Sequence, residues 1–178
     1  MHVVIDDGGR ADAGFRGSTG DCVTRAIAIV AGLPYREVYE ALSEGCRAQR
    51  VTKRAGRRAS SRNGVSTTRK WFRDYMARLG FEWVPTMRIG SCCQVHLADG
   101  ELPGGRLIVA LSKHYTAVID GVIHDTHDPQ REMHCITPYR GQELRLGEWV
   151  NSNGVCSVQR RCVYGYWIGV ADRSQGHG

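Results

Sequence analysis

The chain predicts an α+β fold, with N-terminal helices packed on a C-terminal antiparallel sheet. Three observations carry that expectation. Before Gly80 the apolar residues recur at helical spacing, and after it they alternate or run in short blocks as strands do. Asp120-Gly121 stands between two such blocks as a two-residue hairpin turn. Helices grouped first and strands grouped second suit α+β rather than an alternating α/β build.

Val3-Val4-Ile5 is a short strand candidate, followed by a Gly-rich approach. Thr19 or Asp21 is placed to cap a helix over about 22–31 that stops at Gly32. Its Val23, Ala26, Ile27, Ile29 and Val30 cover more than one stripe, so most of its sides are expected to be buried. Pro34 suits the first turn of a second helix running to about Cys46, with Val38, Tyr39 and Leu42 on its apolar face. Residues 47–65 read as a basic loop. A third helix begins near Ser66-Thr67-Thr68, packs through Trp71, Phe72, Tyr75, Met76 and Leu79, and ends at Gly80.

The pattern then becomes extended. Phe81–Val84 is a short strand, and Arg106–Ser112 is a buried one behind the turn at Pro103-Gly104-Gly105. The hairpin 114–119/122–127 follows, and Cys162–Val170 reads as the last strand. Ile89–Leu97 fits no single pattern, and 129–160 reads as loop-rich. One domain over 1–172 is expected, helical over about 19–80 and sheet over about 81–172, with 173–178 a flexible tail.

The 178 residues are 42% hydrophobic and 24% charged, ordinary values for a globular chain with a real core. No apolar run reaches the length of a membrane span, and Asp6-Asp7 interrupts the N-terminus too early for a signal peptide. A cytoplasmic protein is the expectation. Seven cysteines with no framework spacing are then expected to be reduced. Cys92, Cys93, His96, His124, His127, His134 and Cys135 are potential zinc ligands. They contain no C-x-x-C pair, however, and adjacent cysteines seldom both reach one tetrahedral ion, so no metal or cofactor is expected.

The net charge is +6. Arg47, Arg50, Lys53, Arg54, Arg57, Arg58 and Arg62 carry much of it, among small residues and without interleaved aromatics. That composition reads as a solvated loop first and as a nucleic-acid surface second. Arg54, Arg57 and Arg58 are the residues expected to meet an acidic partner or steer a substrate.

The chemistry points elsewhere. Cys22 falls at a helix start, where free N–H groups and the helix dipole favour thiolate, and Arg25 lies one turn on. An inert buried cysteine is the plainer reading of such a residue alone. His114 alters the balance, because an imidazole opening a strand directly after a strongly apolar one calls for a partner. If Asp120-Gly121 is the hairpin loop, Ile119 faces Val122 and His114 faces His127. Asp125 then shares the face of His114, one diagonal step away, while His124 and Asp128 point the other way. Asp128 is the competitor if a bulge shifts the register. Thiol, imidazole and carboxylate in these positions suit a thiol hydrolase working through a Cys-His-Asp triad.

Gly20-Asp21-Cys22-Val23-Thr24-Arg25-Ala26-Ile27 and His114-Tyr115-Thr116-Ala117-Val118 resemble segments of the papain-like cysteine peptidase superfamily. The first is similar to the nucleophile segment of ovarian-tumour-type deubiquitinases, D-G-x-C-L-F-R-A, and the second to their H-Y-[ND]-x-V. The histidine-to-Asp hairpin resembles papain and the bacteriocin-leader peptidases more closely. Small cysteine-peptidase-like proteins of phages and bacteria are also similar. The resemblance implies a papain-like fold that cleaves a peptide or isopeptide bond, with Cys22 as nucleophile, His114 as base and acid, and Asp125 as its orienting partner. Papain-type enzymes carry an oxyanion-stabilising Gln where this chain has Arg16, and the ovarian-tumour branch an Asp where it has Thr19. Thr19 and Arg16 are thus the candidate donors beside the Cys22 main-chain N–H. The alternative expectation is a catalytically weak or inactive relative that binds an acidic partner or nucleic acid through its 47–62 loop.

Overall fold

The computed structural model describes residues 1–49, 60–88, 90, 92–130, 133–136, 148–151, 154–158 and 160–173 of the chain. Strand β1 (Val3–Ile5) leads through a turn-rich loop to helices α1 (Cys22–Ala31), α2 (Tyr35–Ala48) and α3 (Lys70–Arg78). The strands β2 (Phe81–Pro85), β3 (Arg106–Leu111), β4 (His114–Ile119), β5 (Val122–Asp125), β6 (Met133–Ile136), β7 (Glu148–Asn151), β8 (Gly154–Val158) and β9 (Gly165–Gly169) follow, and a single turn, α4 (Val170–Arg173), comes last. Six strands lie side by side in the order β1-β5-β4-β3-β9-β2, and β6-β8-β7 form a second, antiparallel sheet. The class is α+β. No helix among the described residues is long and apolar enough to cross a membrane.

The main sheet is mixed rather than antiparallel throughout, because β1 runs parallel to β5 with Val3 opposite Ile123 and Ile5 opposite Asp125. A strand separated from its neighbour by the whole helical half carries no turn from which its direction could be read. The stretch 129–160 is likewise not all loop, since β6, β7 and β8 lie within it. α3 starts at Lys70, because Arg69 is extended and Ser66 accepts the Arg69 N–H in a turn instead.

Alternation along β3 explains its unbroken apolar run. Ile108, with Ala117 and Trp167 beside it, faces the helices and packs on Val23, Ile27, Val30, Leu42, Phe72 and Met76. Leu107, Val109 and Leu111 face the other way with Val118, Ile123 and Ile168, under Leu97 and Val163. Both faces of β3 are buried, so its stretch from Leu107 to Leu111 carries no polar residue.

Helix α1 lies across the sheet on β4 and β3, and both its ends are pinned. At its C-terminus Gly32 takes φ 64°, which lets Leu33 N–H return to the Ala28 carbonyl. Arg106, from the start of β3, donates its Nε to Val30 O and its Nη2 to Ile29 O (2.9 Å), placing a cation on the negative end of the helix. At the other end the Gly-rich loop crosses the first turns so closely that a Cβ on Gly8 would lie 3.1 Å from the Arg25 carbonyl.

Gly165, where β9 begins, has the Trp83 ring lying against its α-carbon, and a Cβ there would also sit 2.8 Å from the Val84 carbonyl. Gly165→Ala is expected to destabilise the fold by about 1–3 kcal/mol through overpacking, read from urea unfolding. Unchanged stability would show that Trp83 and β2 yield freely.

Candidate active site

The hairpin sets the imidazole and the carboxylate. Asp120 (φ 47°) and Gly121 (φ 80°) both take left-handed backbone angles, as a two-residue hairpin turn of the type that matches strand twist requires. Ile119 therefore pairs with Val122 and Ala117 with His124. Carried one step on, Asp125 lies level with Thr116 and diagonal to His114. His114 Nε2 is 2.6 Å from Asp125 Oδ2, and both side chains are nearly buried, at 11% and 5% exposure. Asp125 Oδ1 accepts the Thr126 N–H at 2.7 Å, so the carboxylate cannot rotate away. Asp128, the competing carboxylate, instead accepts the Gln130 N–H (2.8 Å) in an exposed turn, because the strand register holds without a bulge.

Burial disfavours charge at both groups, but their mutual hydrogen bond and attraction outweigh it. His114 is pushed up to about 9, helped also by Cys22, and Asp125 is held below the ordinary carboxylate range. With Nε2 on the carboxylate, Nδ1 is the ring nitrogen left for the thiol. Cys22, the first residue of α1, borders the same cleft as His114, close enough to the His114 side chain and the Tyr115 main-chain N–H for both to favour its thiolate. Burial opposes the thiolate; those two neighbours and the charges of His114 and Arg25 prevail, and the Cys22 thiol is lowered.

A buried carboxylate holds this helix start in place. Asp21 occupies the N-cap position without capping, being 2% exposed and turned inward. It accepts hydrogen bonds from Arg10 Nε (2.8 Å) and the Tyr35 hydroxyl and pairs with Arg25 Nε at 3.2 Å. Arg10 also donates to the carbonyls of Phe15, Arg16 and Gly17, while Arg25 Nη1 reaches Thr126 Oγ1 at 2.8 Å. One acid thereby ties the loop, α1, α2 and the segment after β5 together. Although burial raises it, the Tyr35 hydrogen bond and the Arg25 and Arg10 cations keep Asp21 low. Arg10 escaped the sequence reading, since its only signal is a charge in a Gly-rich loop.

Two openings lie near His114, and the Cys22 sulfur borders the first. The first, of about 380 Å³, is polar and bordered by Arg10, Thr19, Arg25, Lys113 and His127 around Cys22 and His114. Thr19 has a buried hydroxyl close enough to Asp21 to favour its anion, yet makes no hydrogen bond of ordinary geometry. Arg16, the other oxyanion candidate, is exposed and off this cleft; the Arg10 bond uses only its carbonyl. Lys113 takes φ 57° in the two-residue link between β3 and β4, an uncommon conformation for a non-glycine residue. The second opening, of about 350 Å³, has Trp83, Tyr115, Tyr164 and Trp167 as walls and Thr67 at its side. Tyr115 borders it next to His114, and its hydroxyl bonds Thr67 Oγ1 at 2.8 Å.

The remaining expectations fare differently. Cys93 and Cys162 are joined as a disulfide with Cα atoms 5.9 Å apart, which corrects the expectation of reduced thiols throughout. Two loops far apart in sequence meet there, through Leu97 N–H to Arg161 O and Val163 N–H to Val95 O. Cys22, Cys46 and Cys92 form no disulfide. Of the zinc candidates, His96 is on Glu101 (2.9 Å) and His124 near Asp6 (3.4 Å), while the side chains of His134 and Cys135 lie outside the described residues. Arg54, Arg57 and Arg58 also lie outside them.

No protein-family model matches this chain, and no curated protein or solved structure is significantly similar to it.

Asp21→Ala would leave Arg10 and Arg25 without their shared anion. A loss of about 3 kcal/mol is expected in urea unfolding, the low end for a broken buried pair because both guanidinium groups are slightly exposed. A loss under about 1 kcal/mol would mark the cluster as an ordinary surface pair.

Proposed function

We propose that this chain is a papain-like thiol hydrolase that cleaves a peptide or isopeptide bond, with Cys22 as nucleophile, His114 as base and acid, and Asp125 as the residue that orients His114. The observation that carries the reading is the buried His114–Asp125 pair, 2.6 Å apart, on the cleft that Cys22 also borders. A histidine bonded only at a sheet margin would need neither the carboxylate on one nitrogen nor the sulfur near the other.

In this scheme the Cys22 sulfur attacks the carbonyl carbon while the thiol proton resides on His114. The leaving amine takes that proton as the C–N bond breaks, giving a thioester on Cys22. Water then attacks, His114 accepts its proton, and the acid product leaves with the thiol restored. Charge on the carbonyl oxygen is met by main-chain N–H groups at the start of α1, with the Thr19 hydroxyl, which lies beside Asp21 on the same cleft, as the second donor. The aromatic opening beside Tyr115 suits an apolar part of an extended peptide. Deamidation or acyl transfer would use the same three residues. A cytoplasmic location completes the proposal; a reducing compartment would open Cys93–Cys162, and the loops it joins retain their main-chain bonds.

Cys22→Ala is expected to abolish turnover of a fluorogenic peptide mixture, and His114→Ala to cut kcat/KM by about 10²–10⁴. Full turnover by Cys22→Ala would end the reading. Thr19→Val should lower kcat by about 10²–10³ with little change in KM; an equal rate would remove Thr19 from the oxyanion site.

The pH profile supplies a separate check. Activity should fall as pH rises through about 9, where the His114 imidazolium loses the proton the leaving amine needs. Asp125→Ala removes the carboxylate that raises His114, so this alkaline limb should move to lower pH. A limb unmoved in Asp125→Ala would contradict the assigned pairing.

A further inference from the structure

We propose that His114, Asp125 and His127 form a binding site for a divalent transition-metal ion, zinc fitting best, and that the bound metal silences Cys22. The hairpin brings the three together. Continued past β5, its register sets His127 level with His114, and Asp125 lies two residues earlier on the same face. One donor atom from each residue lies within 4.8 Å of the other two. His114 Nε2 is 2.6 Å from Asp125 Oδ2, His127 Nδ1 is 3.7 Å from Asp125 Oδ1, and the two imidazole rings have centroids 5.0 Å apart.

Zinc bound at roughly 2.0–2.1 Å in tetrahedral geometry holds its ligand atoms roughly 3.3 Å apart. The His114–Asp125 Oδ2 pair must open slightly, and His127, whose 3.7 Å approach is to Oδ1, must turn toward the same oxygen. His127, at 57% exposure, has room to swing. Two imidazoles and a carboxylate with a fourth position open are ordinary zinc chemistry. The support behind them exists as well: Asp125 is held by the Thr126 N–H, and Thr126 by Arg25.

The metal would replace the hydrogen shared between Nε2 and Oδ2. A ring metallated at Nε2 keeps its hydrogen on Nδ1, on the side of the sulfur, and cannot accept the thiol proton. The silencing rests on the hydrolase reading above; the binding does not. His127 has no step in that reading, which leaves it free to serve the metal.

The test uses the full chain and cobalt or zinc alone. Cobalt added to Cys22→Ala should give tetrahedral visible bands without a sulfur charge-transfer band, displaced by zinc. His127→Ala should weaken binding more than about 100-fold, since even an outer-shell partner is worth 10–100-fold. In the otherwise unchanged protein, zinc should slow iodoacetamide labelling of Cys22 at least tenfold, and His127→Ala should be labelled equally fast with and without zinc. Circular dichroism on heating checks that this variant is folded. Equal metal affinity in His127→Ala, or binding lost in Cys22→Ala, would overturn the site in favour of chelation elsewhere or by sulfur. Binding without slowed labelling would overturn the silencing. Zinc held through His127 by a chain that cleaves no peptide would support the site and count against the hydrolase.

Discussion

The hydrogen bond between His114 Nε2 and Asp125 Oδ2 depends on a single structural quantity, the pairing register of one hairpin, and most of the site depends on that bond in turn. Slipping the pairing by one residue would turn Asp125 to the helix-facing side and bring His124 to its place. Two features prevent the slip. Asp120 and Gly121 supply the left-handed pair that the tight turn needs, and Val118 and Ile123 are paired and fully buried in the layer opposite the helices, a packing the slip would break. The same burial removes water from the carboxylate, which strengthens the bond and keeps the imidazole in one orientation.

On the thiol side the constraint is electrostatic. A helix start exposes unpaired N–H groups, and a side-chain cap is the usual remedy. Here Asp21, at the capping position, is committed to Arg10, Arg25 and Tyr35 instead, so the N–H groups around Cys22 keep no side-chain acceptor from it. The arrangement costs desolvation of an acid and two guanidinium groups. It returns a fixed position for α1 relative to the Gly-rich loop and, through Arg25 and Thr126, relative to the segment after β5. Arg106 fixes the opposite end. The sulfur is thereby held by a helix that cannot slide along the sheet.

The two openings differ in kind. One is bordered by cations and a hydroxyl around Cys22 and His114, the other by aromatic rings that include Tyr115, the next residue along the strand. A ligand spanning both would present a polar group to one side and an apolar group to the other. Arg161 supports this geometry by donating to Ser112 O and Pro129 O, bracing the link before His114 and the segment after His127. Its neighbour Cys162 is bonded to Cys93, so the brace is tied to the loop that covers the far face of the sheet.

Much of the site was readable from residue order because it is made by local rules. Helical spacing and Gly32 located α1, and with it Cys22 at a helix start. An Asp-Gly turn and strict alternation were enough to put Asp125 rather than Asp128 beside His114. Whatever needed distant segments to meet was not readable: β1 parallel to β5, Arg10 on Asp21, Cys93 on Cys162, His127 against His114 and Asp125 at metal-binding distance. Arg16 shows the limit most plainly, since its position before the cysteine suggested a role that its exposed side chain does not take. Periodicity and turn chemistry act over a few residues and leave their mark on adjacent letters. Ion pairs, crosslinks and cavity walls depend on how the finished elements pack, and the packing places together residues whose order along the chain carries no trace of it.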